Sequence, residues 1–118
     1  MKLYGIPNCN TVKKSRDWLK LHDIEVEFHD FKKLGLDTDT AENWMKQTDW
    51  TKIVNLNGMT WRKLPEERKQ LVTDSPTALV LMQEKTSVIK RPILEKNGKI
   101  LHIGFNDSAY SNIFNLIS

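Results

Sequence analysis

Cysteine is almost absent from this chain of 118 residues, since Cys9 is the only one. A single cysteine excludes an internal disulfide. The histidines, His22, His29 and His102, lack the spacing of metal ligands, and no glycine-rich nucleotide loop is present, so we expect neither a metal nor another bound cofactor. Cys9 is then a buried small hydrophobe, an incidental surface thiol or a reactive group, and its position has to decide among these.

Long apolar runs and a large excess of one charge are also missing. No apolar stretch approaches the roughly 20 residues that cross a bilayer, and the amino terminus has no signal-peptide core. We therefore predict a cytoplasmic protein with no membrane partner. Eighteen Lys and Arg residues against fifteen Asp and Glu give a net charge of +3, which mildly favours anionic ligands and does not indicate direct nucleic-acid binding.

The first part of the chain has the pattern of a β-α-β unit. Residues 2–6 predict a short strand that the turn-forming pair Pro7-Asn8 ends. From Thr11 the apolar residues recur at intervals of three and four, which predicts an amphipathic helix capped by Asn10 or Thr11. Period-two alternation over residues 24–31 predicts a second strand, which such a crossover makes parallel to the first.

The rest of the chain predicts helices, then a hairpin and a last helix. Helices are expected to begin near Asp37, Trp50, Pro65 and Ser75. Asn97-Gly98 joins strands predicted at residues 93–95 and 100–103. Asn106 or Asp107 is expected to cap a final helix that carries Tyr110, Ile113, Phe114 and Ile117.

This order of elements predicts a thioredoxin-like α/β fold, in which helices flank a mixed sheet. The length allows one domain over residues 1–118, with a helical insertion at about 35–88.

Cys9 lies between the first predicted strand and the first predicted helix. Unpaired backbone N–H groups and the helix dipole stabilise a thiolate there, and a nearby cation such as Lys13 has the same effect. The neighbours Asn8, Asn10 and Thr11 are polar, which favours a reactive thiol over a residue that only packs the strand end.

Val12 occupies the position at which dithiol proteins carry a second, resolving cysteine. An internal dithiol cycle is therefore excluded. A single-cysteine cycle remains, in which Cys9 attacks a disulfide or an oxidised substrate and an external thiol such as glutathione resolves the intermediate.

Two arginines are further binding candidates. Arg91 precedes Pro92 at the start of a predicted strand, and its guanidinium suits a carboxylate or an oxyanion. Either isomer of Pro92 is compatible with the sequence, and a cis bond would place a tight turn beside the neighbouring loop. Arg62 follows Trp61 in a second basic segment, and for both arginines the alternative is a solvated surface side chain.

Several separated segments together resemble a known family. They are Tyr4-Gly5-Ile6-Pro7-Asn8-Cys9-Asn10-Thr11-Val12-Lys13-Lys14, Phe28-His29-Asp30, Thr60-Trp61-Arg62-Lys63-Leu64, Ile89-Lys90-Arg91-Pro92-Ile93-Leu94 and Gly104-Phe105-Asn106-Asp107-Ser108. In this order they resemble, almost end to end, the ArsC-like group of arsenate reductases, Spx regulators and YffB proteins. They are most similar to the YffB branch.

The resemblance implies a thioredoxin/glutaredoxin-like fold with a helical insertion, Cys9 as the nucleophile, and Arg91 before a cis Pro92. The function it implies first is a glutathione-dependent thiol reductase, with glutathione or another thiol or disulfide as partner. The residues expected to bind the substrate are Asn8, Asn10, Thr11, Lys13, Arg62, Arg91 and Pro92.

Two alternatives stay open. For arsenate reduction coupled to glutathione, Arg62 and Arg91 look similar to two members of the family's oxyanion-binding triad, but the third region, Gly104-Phe105-Asn106-Asp107, has no arginine. The other alternative is a Spx-like regulator that binds RNA polymerase. Such regulators mostly use a CxxC switch, which Val12 interrupts.

Overall fold

A computed structural model of the chain describes residues 1–115, which fall into two compact units. The first unit joins residues 1–34 to the segment that begins at Arg91, and the second is Gly35–Lys90. The single-domain organisation expected from the sequence stays a prediction. No helix among the described residues is both long and apolar enough to cross a bilayer.

The first unit contains the sheet and the second unit is helical. The strands are β1 (Lys2–Gly5), β2 (Glu27–Asp30), β3 (Ile93–Lys96) and β4 (Lys99–Ile103). The α-helices of residues 1–115 are α1 (Asn10–Leu21), α2 (Phe31–Leu34), α3 (Thr38–Gln47), α4 (Trp50–Ile53), α5 (Met59–Arg62), α6 (Glu66–Gln70), α7 (Ser75–Glu84) and α8 (Asp107–Ile113). A 3₁₀ turn covers Thr86–Val88.

The sheet has four strands in the order β2-β1-β3-β4. β1 runs parallel to β2 and antiparallel to β3, and β3 pairs antiparallel with β4. The turn between β3 and β4 has positive φ at both Asn97 and Gly98, the conformation that asparagine and glycine tolerate best. The predicted parallel β-α-β unit and the predicted hairpin are both confirmed.

The core of the first unit lies where α1 and α8 pack on the sheet. Trp18 of α1 and Tyr110 of α8 share an apolar cluster with Leu3 and Leu94, which lie opposite each other on β1 and β3. The Trp18 and Tyr110 rings meet edge to face, with centroids 5.3 Å apart. Ser15 Oγ and the Tyr110 hydroxyl are 2.7 Å apart, and this hydrogen bond satisfies both buried groups.

The second unit is organised by aspartate caps. Asp37, Asp49 and Asp74 each accept a hydrogen bond from a backbone N–H in the first turn of α3, α4 and α7. Trp44 of α3 and Leu81 of α7 are fully buried. The predicted helix starts near Asp37, Trp50, Pro65 and Ser75 are confirmed.

Several boundaries differ from the sequence predictions, and three of them bear on the region around Cys9. α1 begins one residue early, because the Cys9 carbonyl accepts from Lys13 N at 2.9 Å, so Cys9 is the N-cap in place of Asn10 or Thr11. β2 begins only at Glu27, whose partner on β1 is Lys2, so within residues 1–115 no strand pairs with the alternating residues before it. The strand ends before Phe31, which begins α2.

The final helix is capped by Asn106, whose side chain accepts from Ala109 N at 2.9 Å. α8 ends at Ile113. Ile117, which the sequence analysis assigned to this helix, lies outside the described residues.

Candidate functional site

The residues around Cys9 lie at one edge of the sheet, the one at which β1 and β2 end. Gly5 and Asp30 are neighbours at the carboxyl ends of the parallel strands β1 and β2. β3 runs the other way, so Pro92, just before its first residue, belongs to the same edge. Ligands of α/β sheets bind beyond the carboxyl ends of parallel strands, and Cys9 follows β1 at that end.

Cys9 is the residue at which the chain turns into α1. Its backbone is extended, with φ −115° and ψ 125°, and its free thiol is half-buried. Gly5 allows the first turn of α1 to approach the end of β1, because a Cβ at Gly5 would lie 2.8 Å from Val12 Cγ2. The position of the thiol is therefore set by the packing of a glycine against a buried valine.

The pKa of the Cys9 thiol is lowered from its ordinary value. Partial burial acts in the opposite direction and is the largest single influence, since it disfavours the charged form. It is outweighed by the backbone N–H of Val12, a hydrogen bond from the Arg91 side chain, the N–H of Thr11 and the positive charge of Arg91, in that order. The sulfur makes no capping hydrogen bond of standard geometry, yet these donors still stabilise the thiolate.

The predicted neighbours of the thiol have different roles. Thr11 is an exposed residue of α1 whose backbone N–H acts on the sulfur. Asn8 and Asn10 are exposed on either side of Cys9. Lys13 is exposed on α1, and among the described residues it is not one of the groups that lower the pKa of Cys9.

The two predicted arginines lie in different units. Arg91 is in the first unit, is half-buried, and is joined by a cis peptide bond to the buried Pro92. It acts directly on Cys9. Arg62 is exposed at the end of α5 in the second unit. A substrate-binding role for either arginine stays a prediction.

The fully buried Val12 takes the position of a resolving cysteine. Within residues 1–115, no group of three or more His, Cys, Asp and Glu side chains is placed to hold a metal ion. The chemistry that the site offers is that of one activated thiolate beside a guanidinium.

Lys32 is a residue at this edge that the sequence analysis missed. It lies in α2, directly after β2, and its Nζ donates to Asn8 Oδ1 at 3.3 Å. The predicted parallel pairing of the first two strands already implied that residues after the second strand lie near Cys9. The strand was predicted to run through Phe31, and this concealed the turn that brings Lys32 to the site.

Comparison with known proteins assigns the family. The model of the ArsC family matches residues 4–113. A Haemophilus influenzae protein of uncharacterised function is 43% identical over 95% of this chain and 96% of its own length. The regulatory protein MgsR of Bacillus subtilis is 30% identical, over 90% of this chain and 83% of its own.

Solved structures agree with this assignment. The YFFB protein superposes with a TM-score of 0.88 at 39% identity and covers 95% of this chain and 96% of its own. An arsenate reductase (ArsC) related protein from Brucella melitensis has a TM-score of 0.76 at 43% identity, over 98% of this chain and 94% of its own. The predicted α/β fold of the thioredoxin-like class is confirmed. This chain belongs to the ArsC family.

Proposed function

We propose that this protein is a glutathione-dependent thiol reductase in which Cys9 is the nucleophile. The observation that carries the proposal is the lowered pKa of a half-buried thiol at a helix start, opposed by burial but maintained by two backbone N–H groups and Arg91. A thiol whose pKa is lowered is ionised to a greater extent than an ordinary cysteine at the same pH. Membership of the ArsC family supports thiol redox chemistry.

The reaction has two exchange steps. The Cys9 thiolate attacks the glutathione sulfur of a mixed disulfide, the substrate S–S bond breaks, and the substrate leaves as a thiolate that takes a proton from water. Cys9 is then joined to glutathione by a new disulfide. A second glutathione, as its thiolate, attacks the glutathione sulfur of that disulfide, releases oxidised glutathione and restores the Cys9 thiolate.

An external thiol is required because Cys9 is the only cysteine. The balanced reaction converts a mixed disulfide and one reduced glutathione into a substrate thiol and oxidised glutathione. Arg91 stabilises the attacking thiolate, and in this proposal it also faces a carboxylate of glutathione together with Lys13. Asn8, Asn10 and Thr11 supply polar contacts around the sulfur, with Pro92 beside Arg91.

The test is reduction of a glutathione mixed disulfide, followed by the formation of oxidised glutathione. The wild-type protein should turn over, and mass spectrometry should detect glutathione on Cys9 that reduced glutathione removes. Cys9→Ser is the matched variant, since it replaces only the sulfur. Activity equal to wild type in Cys9→Ser would contradict the proposal, as would a Cys9 that oxidised glutathione does not modify.

A regulator is the second candidate, and the similarity to MgsR favours it specifically. The global transcriptional regulator Spx of Streptococcus agalactiae is also 27% identical, over 89% of this chain. The corresponding proposal is a protein that binds RNA polymerase and senses oxidation through Cys9. Co-purification with the polymerase under reducing or oxidising conditions would support it, and purification without polymerase under both would count against it.

Arsenate reduction is the third candidate, which the names of structural relatives favour. Arg91 beside Cys9 suits an oxyanion, whereas the segment from Gly104 to Asp107 offers no arginine. Oxidation of glutathione that depends on added arsenate is the direct test. Its absence in a preparation that reduces mixed disulfides would exclude arsenate as substrate.

A further inference from the structure

Lys32 is fixed at the same edge of the sheet as Cys9. Asp30, the last residue of β2, accepts the backbone N–H of Lys32 at 2.9 Å and so holds the first turn of α2. From there the Lys32 ammonium reaches across to Asn8 at 3.3 Å. Because Asp30 is the strand partner of Gly5, the chain after β2 runs beside the loop that leads from Gly5 to Cys9.

The ammonium at this point keeps donors available for a ligand. A lysine ammonium has three donors, and Asn8 Oδ1 engages one of them. Both side chains are exposed, so an anion can approach. Asn8 directly precedes Cys9, which places the cation next to the residue that carries the nucleophile.

Lys32 and Arg91 act differently on the site. Arg91 lowers the pKa of the Cys9 thiol, whereas Lys32 is not among the described groups that do so. The hydrogen bond that the structure gives the Lys32 ammonium is instead to Asn8, the residue before Cys9.

We propose that Lys32, held by Asn8, forms an anion subsite beside Cys9 that favours thiol and disulfide substrates carrying a carboxylate. The inference rests on the proposed function for its natural ligand, since glutathione carries two carboxylates. Lys32 is in this sense a specificity-determining residue. Arg91 activates the thiolate, and Lys32 selects what the thiolate attacks.

The test compares two alkylating reagents that differ in charge, iodoacetate and iodoacetamide. The rate constant of each with Cys9 is measured at one pH for wild type, Lys32→Gln and Lys33→Gln. Lys33 is the matched control, because it is the next residue of α2, is also exposed, and loses the same charge in the variant. An Asn8→Ala variant removes the group that positions the ammonium.

The ratio of the iodoacetate to the iodoacetamide rate constant should fall by roughly two- to fivefold in Lys32→Gln, the size expected for one exposed ion pair. Asn8→Ala should lower the ratio in the same direction, and Lys33→Gln should leave it near the wild-type value. An unchanged ratio in Lys32→Gln would overturn the subsite. An equal fall in Lys33→Gln would do so too, because it would show only the effect of net charge.

This experiment is independent of catalytic turnover. A lower ratio in Lys32→Gln together with no reduction of glutathione mixed disulfides by wild type would support the subsite and refute the proposed function. Turnover of mixed disulfides with an unchanged ratio would support the function and overturn the subsite.

Discussion

The starts of α1 and α7 use their unpaired N–H groups in opposite ways. At α7 the Asp74 carboxylate accepts from Thr77 N at 3.0 Å, and Thr77 Oγ1 accepts from Asp74 N at 3.1 Å, which completes a capping box. At α1 the cap is Cys9, whose sulfur makes no capping bond of standard geometry. At the start of α7 the N–H groups stabilise the fold by hydrogen bonding to a side chain. At the start of α1 they are available to the Cys9 thiolate, whose charge depends on pH.

The pKa values of the Asp74 carboxyl and the Cys9 thiol are both lowered, but only the thiol serves as a nucleophile in the proposed reaction. The pKa of Asp74 is lowered by hydrogen bonds from the Thr77 side chain and backbone. This carboxyl is therefore ionised throughout the neutral range, and its charge is constant. The pKa of the Cys9 thiol is also lowered, so the N–H groups at the start of α1, together with Arg91, increase the fraction of Cys9 that is thiolate.

The largest effect is expected for Cys9→Ser. Thiol transfer should fall by at least about 100-fold, because a serine hydroxyl does not ionise at neutral pH and no other cysteine can replace it. Serine is a good N-cap, so the free energy of unfolding should stay equal or rise slightly. The two quantities are measured by mixed-disulfide reduction and by urea unfolding. A variant that loses stability together with activity would show that Cys9 is needed for folding.

Asp74→Ala should show the reverse of Cys9→Ser, namely lower stability with unchanged reactivity of the thiol. Loss of the capping box should lower the free energy of unfolding, while the rate of Cys9 alkylation stays at the wild-type value. Asp74→Asn is the control, because asparagine also caps helices and should retain most of the stability. If Asp74→Ala slowed the alkylation of Cys9 as well as lowering the free energy of unfolding, the contrast between the two helix starts would be contradicted.

A smaller effect is expected for Arg91→Gln. Loss of the guanidinium removes both its hydrogen bond and its charge, so the pKa of Cys9 should rise and alkylation at neutral pH should slow several-fold. At a pH well above the pKa the two proteins should react at similar rates. Arg62→Gln is the matched control, since Arg62 is not among the described groups that act on Cys9. Equal slowing by both variants would assign the effect to net charge.

The smallest effect is the pH dependence of stability. Because the pKa of Cys9 is lower in the folded protein than in the unfolded chain, the unfolded chain binds more protons between the two values, and stability rises with pH there. The contribution is complete above the unfolded pKa and is lost as pH falls through the folded pKa. Urea unfolding of wild type and Cys9→Ala should therefore show a difference that shifts in favour of wild type as pH rises. A difference that shifts the other way would mean a raised pKa.

Helices and strands could be predicted from the sequence where burial of one face makes the buried residues recur at regular intervals. Val12, Ser15, Trp18 and Leu19 lie on the buried face of α1, as the intervals of three and four indicated. Periodicity does not fix where an element ends, because backbone partners do. β2 starts opposite Lys2, where β1 itself begins, although Val26 before it still packs on the core.

The site could be predicted only in part. The position of Cys9 between a strand and a helix indicated a stabilised thiolate, and the structure shows the lowered pKa. The cation responsible is Arg91, which is distant in sequence and is brought close by the antiparallel pairing of β1 and β3. Lys13 was favoured because it is near in sequence, and Lys32 was missed because α2 has only four residues and no detectable period.

The rate of Cys9 alkylation by iodoacetamide as a function of pH tests the central claim most directly, because it reports the thiolate at the start of α1. We expect a single transition whose midpoint lies below that of Cys9 in the unfolded chain, which serves as the unperturbed reference, and moves up in Arg91→Gln. A midpoint at or above the unperturbed value would contradict the account, since Cys9 would then be an ordinary thiol at a helix start.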